Sequence, residues 1–165
     1  MIEHDVAYAC LCETKLFGED ISTDKWKWLA GQRRFPAFRT TRRRREWAWV
    51  SWFPDAEVVH TGKYTVWVRL PGRTMDMYVC ACYAPVYPSQ KRDAIAEVVT
   101  SYLQFWNKGF VTIGGDFNVR CGHNGDMVVN ADGAHLQEVC ANHGLNIVNS
   151  MEDICEGEFT WEQDV

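Results

Sequence analysis

Two glycines set between an apolar strand and a pair of polar side chains constrain this chain more than any other feature: Thr112, Ile113, Gly114, Gly115, Asp116, Phe117, Asn118. On a nearly extended segment side chains two apart point to one face, so Asp116 and Asn118 converge while Phe117 anchors the other side. One acid and one amide then meet one ligand at a strand end. The glycines permit close approach of backbone or of a phosphate. The alternative is a strand-terminating turn, in which Asp and Asn satisfy only local backbone donors.

The rest of the chain supplies elements that fit around such a strand. Residues 6–11 read as a short buried strand, and polarity returns at Cys12, Glu13, Thr14 and Lys15, which sets Glu13 at a strand end. Residues 25–30 suit a helical turn or two. Residues 64–70 and 74–83 read as strands joined in a hairpin across Pro71, Gly72 and Arg73. Pro85 and Pro88 forbid further strand, and Ser89 is a candidate N-cap for a helix running to about Trp106. Its apolar stripe would be Ile95, Val98, Val99, Tyr102, Leu103 and Trp106. A strand over 110–113, a helix over about 133–142 stopped by His143 and Gly144, and strands at 145–148 and 159–161 complete the pattern. Strands alternating with helices define an α/β class with mixed sheets.

Composition sets limits on function. The 165 residues, 47% of them hydrophobic, suffice for one domain with a real core. No apolar run approaches the ~18 residues of a membrane span, and the charged start MIEHDVAYACLCE is unlike a signal peptide, so an intracellular, non-secreted chain is expected, with no membrane partner. The seven cysteines contain no C-x-x-C pair. Cys10/Cys12 and Cys80/Cys82 each lie two apart on strand-like runs, too far along the strand for comfortable bridging, which implies reduced core thiols. Residues 33–45 hold seven arginines and no acid, so the remainder of a chain with net charge −5 carries −12. Such a block either neutralises nucleic-acid phosphates or is a solvated loop. None of His4, His60, His123, His135 and His143 sits beside an acid as a general base would.

Four pieces in order, DVAYACLCETKL (5–16), CYAP (82–85), GGDFN (114–118) and FTW (159–161), resemble the endonuclease/exonuclease/phosphatase superfamily, the fold of deoxyribonuclease I and the apurinic endonucleases. The spacing from Asp116 to FTW is most similar to the endonuclease domains of non-long-terminal-repeat retrotransposons and to craniofacial development protein 2-type sequences derived from them. The resemblance implies a two-sheet α/β sandwich of the deoxyribonuclease I-like type. It implies hydrolysis of DNA phosphodiesters with Mg²⁺ or Mn²⁺, and a longer polyprotein that includes a reverse transcriptase. A nuclear site of action follows. Glu13 matches the metal-binding glutamate, because a hard cation prefers carboxylate oxygen. Asp116 matches the residue that orients or deprotonates the attacking water. Asn118 matches the amide on the scissile phosphate, and Tyr83 the tyrosine near the phosphate or leaving oxygen. Trp161 is read as packing. Phosphoinositide or sphingomyelin phosphodiesterase activity is the rival within the superfamily.

The same resemblance implies an asparagine-bearing strand ahead of residue 1, and a Ser-x-x-Asp segment and an Asp-His pair after the Thr-Trp strand. On that expectation the sandwich is incomplete, and the general-base histidine and its acid have no counterpart. Loss of one member of a catalytic unit removes several powers of ten in rate. A catalytically dead fragment or binding-only remnant is therefore the alternative reading. Residues 31–57 match poorly. Tryptophan has the single codon TGG, so Trp47-Ala48 and Trp49-Val50 both read Gly one base forward, which predicts a reading-frame slip over roughly 33–57. A nucleotide sequence without a glycine-rich run in that frame refutes it.

Overall fold

The computed structural model describes residues 8–11, 27–28 and 48–51 through their backbone, and residues 55–122 and 127–151 throughout. Two sheets form. In one, β3 (Ala48–Ser51) lies between β1 (Tyr8–Leu11) and β2 (Lys27–Trp28), antiparallel to both. In the other, β4 (Glu57–Thr61), β5 (Thr65–Leu70), β6 (Asp76–Tyr83) and β7 (Gly109–Asp116) follow in chain order. The β4–β5–β6 ribbon is antiparallel, and β6 and β7 are parallel, joined by the crossover helix α1 (Pro88–Tyr102). Parallel neighbours need such a crossover, whereas the β5–β6 hairpin needs only a turn. β1 approaches both β6 and β7.

The core sits on both faces of β5 and β6, which explains their near-continuous apolar sequence. On one face Val66, Val68 and Leu70 pack with Val79, Ala81, Tyr83 and Ala56. On the other, Trp67, Tyr78, Cys80 and Cys82 meet Val98 and Phe105 from α1 and the turn after it. The Trp67 indole donates to Ser101 Oγ at 2.8 Å, which satisfies a buried N–H that would otherwise be orphaned. Cys80 and Cys82 are fully buried on this face.

Side-chain bonds fix the periphery. Arg69 bonds Asp76 at 2.6 Å and Glu57 at 2.9 Å across three strands. The Arg69 guanidinium, helped by the Gly72 N–H, holds the Asp76 carboxyl below the usual carboxylate range. Glu97 on α1 accepts from the Lys63 and Tyr64 amides and the Thr65 hydroxyl, and so ties the helix to the β4–β5 turn. Each bond to a charged acceptor contributes ~1.5–3 kcal/mol at most, less where water reaches. Glu97→Ala should therefore cost about 2 kcal/mol in a urea titration, and Glu97→Gln less.

Four expectations are corrected. Lys27–Trp28 is strand, not helix, because β3 offers a pairing edge opposite Ser51 and Val50. Ser89 is not the N-cap: Tyr87 holds that position without a side-chain cap, and Pro88, whose fixed φ and missing N–H suit the first helical turn, starts the helix. The buried face of α1 is Lys91, Ala94, Ile95, Val98 and Ser101, while Leu103 and Trp106 are 52% and 56% exposed because the helix ends at Tyr102 and turns follow. Residues 145–148 form no strand, and Val148–Ser150 is instead a turn of 3₁₀ helix. The helix expected over 133–142 is α2 (Ala131–Asn142), closed by His143 and by Gly144 at φ +65°. The strand expected at 159–161 lies outside the described residues.

Candidate active site

β6 and β7 end side by side, with Tyr83 in register with Asp116. The Ala84 amide donates to the Asp116 carbonyl at 2.8 Å, which carries the pairing one step past the strands. The glycines make this approach possible. A Cβ on Gly115, whose φ is +148°, would lie 1.9 Å from the Cys82 carbonyl oxygen. The close neighbour of Gly115 is thus the β6 backbone.

Asp116 is exposed, and Phe117 packs on the opposite, helix-covered face against the cluster that includes Trp67, Cys80 and Cys82. That division of faces follows strand alternation. Asn118 does not continue it: at φ +50° it occupies the left-handed region, which asparagine tolerates better than most residues. Its amide N–H donates to Asp116 Oδ1 at 2.8 Å, and its side-chain Nδ2 donates to Asp116 Oδ2 at 3.2 Å and to the Ala84 carbonyl at 2.8 Å. The turn therefore closes on itself and pins both carboxylate oxygens. With both Nδ2 protons engaged, Asn118 meets a phosphate only by exchanging the longer bond to Asp116.

The Tyr83 ring belongs to the core beside Val79 and Ala81, and the residue is 7% exposed. Glu13, His4, His123, Trp161 and the arginines of 33–45 lie outside the described residues. Among the described residues no three His, Cys, Asp or Glu side chains are grouped to hold a metal ion. Asp116 alone of the expected ligating or catalytic acids is described, and its exposed oxygens suit a hard cation in kind.

Sequence reading missed the frame around this turn. Asn130 caps α2 by accepting from Gly133 N at 2.7 Å, its amide donates to the Arg120 carbonyl at 3.0 Å, and Cys121 bridges Val129. Gln137 Nε2 donates to the Cys121 carbonyl at 2.9 Å. Burial, with Cys121 nearby, pushes the Cys140 thiol up, away from a reactive thiolate. Lys91 of α1, 5% exposed, bonds Asp132 of α2 at 3.1 Å, and Arg92 reaches the same carboxylate at 3.6 Å. Asparagine before a helix is a legible cap, but nothing local pairs Lys91 with Asp132. Asp132→Ala leaves a buried ammonium unpaired and should cost about 3–5 kcal/mol in urea unfolding.

No family model matches the chain, and no curated protein does. Among solved structures it is similar to the endonuclease domain of TRAS1, a telomere-specific non-LTR retrotransposon, with TM-score 0.65 and 17% identity over 92% of this chain and 64% of that one. The chain thus spans a little under two thirds of the structure it matches. No helix among the described residues is long and apolar enough to cross a membrane. At this identity the likeness establishes architecture alone: an incomplete mixed α/β fold similar to that endonuclease domain, as the sequence led us to expect.

Proposed function

We propose that this chain is a metal-dependent phosphodiesterase domain of the DNA-nicking type, encoded as part of a longer retrotransposon-derived polyprotein that includes a reverse transcriptase. The observation that carries the reading is the Asp116–Asn118 turn, pinned to Ala84 at the end of the β6–β7 pair in a fold shared with a retrotransposon endonuclease domain. A strained asparagine at the mouth of a strand pair is the kind of backbone outlier that gathers at active sites.

In this reading Glu13 would supply the carboxylate oxygen that Mg²⁺ or Mn²⁺ prefers, and the cation would offset negative charge developing on the phosphate. Asp116 accepts a proton from, or orients, the attacking water. Its two donor bonds from Asn118 hold the carboxylate in one rotamer, so little reorganisation is needed as charge develops. Asn118 turns one amide proton to the scissile phosphate, and Tyr83 offers its hydroxyl at the adjacent strand end. A DNA substrate places this action in the nucleus.

The test is conversion of supercoiled plasmid to the relaxed form by the domain carried in a longer chain with the flanking segments that the family resemblance implies. Nicking is expected with Mg²⁺ and is expected to vanish with excess EDTA. Inositol phosphate or phosphocholine release without nicking would overturn DNA as the substrate.

A second reading, a binding-only or inert remnant, is favoured by one observation: the Asn118 amide protons and the Tyr83 ring are already used within the fold. It expects no Mg²⁺-dependent cleavage and a DNA affinity unaltered by Asp116→Ala.

A further inference from the structure

We infer that the buried Lys91–Asp132 ion pair is a positioning brace for the candidate active site: it locks the loop after β6 to the loop after β7, and so sets the geometry of Asp116 and Asn118. That this geometry serves catalysis rests on the phosphodiesterase reading. The brace itself does not.

The pair is poorly explained by the stability of either helix alone. α1 begins without a side-chain cap and without an acid in its first turn. Lys91 and Arg92 put positive charge near a helix N-terminus, where the macrodipole opposes it by ~0.3–1 kcal/mol per charge. Lys91 is also withdrawn from water, with 7% of its side chain exposed, which adds a desolvation penalty. α2 needs no help from Lys91, because Asn130 already caps it and Asp132 already complements its dipole. What the pair does is join the starts of the two helices, whose far ends meet where the Tyr102 hydroxyl donates to the His143 carbonyl at 3.3 Å.

Those two elements begin where the site's two loops end. On one side the chain runs from Ala84, through Pro85 and Pro88, into α1 and Lys91. On the other it runs from Asn118 to Arg120, which the Asn130 bonds hold against the start of α2, and so to Asp132. The inner ends are tied by Asn118 Nδ2 to the Ala84 carbonyl and by the Ala84 amide to the Asp116 carbonyl. The outer ends are tied by Lys91 and Asp132 at 3.1 Å. The result is a closed ring with ties at both ends. Removing the outer tie frees the starts of the two helices to shift, and of the inner ties the Asn118 bond to Ala84 is the one that answers, because a single side chain makes it whereas the Ala84–Asp116 bond continues the β6–β7 ladder. A buried ion pair adds little net stability against an apolar replacement of similar shape, yet it fixes one geometry.

The test separates position from stability. The double variant K91M/D132L replaces the pair with apolar side chains and should stay folded, with a midpoint within a few degrees of wild type by circular dichroism. In ¹H–¹⁵N spectra the Asn118 side-chain amide should shift and exchange at least tenfold faster. In nicking assays kcat should fall about tenfold or more with KM for plasmid within twofold. An Asn118 amide unchanged in the folded double variant overturns the brace. If the apolar pair does not fold, D132E keeps the charge but moves the carboxylate by one methylene, and the same signal decides: a shifted Asn118 amide supports the brace and an unshifted one overturns it. A wild-type chain that never nicks, but whose Asn118 answers to the pair, removes the phosphodiesterase reading and keeps the brace. A nicking chain whose Asn118 ignores the pair does the reverse.

Discussion

Asp116→Asn is expected to reduce Mg²⁺-dependent nicking by about a thousandfold or more while the domain stays folded. The substitution keeps the shape of the side chain and leaves an oxygen at Oδ1 to accept the Asn118 amide at 2.8 Å. At the other position an NH₂ replaces Oδ2 and faces the Asn118 Nδ2, 3.2 Å away in the native turn. Two donors then meet, which costs about 1 kcal/mol for one lost hydrogen bond. Chemistry loses far more. An amide does not accept a proton from water, and removal of one member of a concerted unit takes most of its rate with it. Plasmid relaxation and a thermal melt, run together, check both numbers. Activity within tenfold of wild type would remove Asp116 from the handling of water. A melt lowered by ten degrees or more would show instead that the turn is needed chiefly for stability.

The site's position was legible because its signals are local. An apolar run, two glycines and an acid fix a strand end in any context, and Pro71–Gly72 fixes the hairpin before it. Faces were legible through strand alternation as far as Phe117 and failed at Asn118, where a left-handed residue breaks the period. The glycines were read as room for a phosphate or for backbone, and at Gly115 the structure shows the backbone filling it. Residues 27–28 became strand because β3 offered them an edge, and the burial of α1 turned on its early end at Tyr102. The Lys91–Asp132 pair was invisible for the same kind of reason: a cation in a helical first turn reads as solvated until a second helix is known to lie against it. Ala48–Ser51 pairs as strand within the stretch that matches the resemblance poorly, so that stretch contributes to a sheet even as written.

Gly115→Ala is expected to abolish the cooperative native state. The added Cβ would sit 1.9 Å from the Cys82 carbonyl oxygen, 2.8 Å from its carbon and 2.9 Å from its nitrogen, all backbone atoms. No side chain can swing aside to relieve this. β6 cannot retreat, because it is hydrogen-bonded to β5 on its other edge and packed on both faces. Relief therefore means parting β6 from β7 near Tyr83 and Asp116, with loss of ladder bonds, and the φ of +148° adds ~1–3 kcal/mol for a residue with a side chain. The sum exceeds about 4 kcal/mol, a large share of the ~5–15 kcal/mol that holds a domain folded. Gly144→Ala is the natural control. Gly144 has φ +65°, and a Cβ there would meet nothing within 4 Å, so only the backbone cost of about 1 kcal/mol applies. Urea titrations should show a modest shift for Gly144→Ala and no cooperative native transition for Gly115→Ala. Equal shifts would mean that β7 does not approach Cys82 this closely. The pairing that sets Asp116 beside Tyr83 would then need another cause.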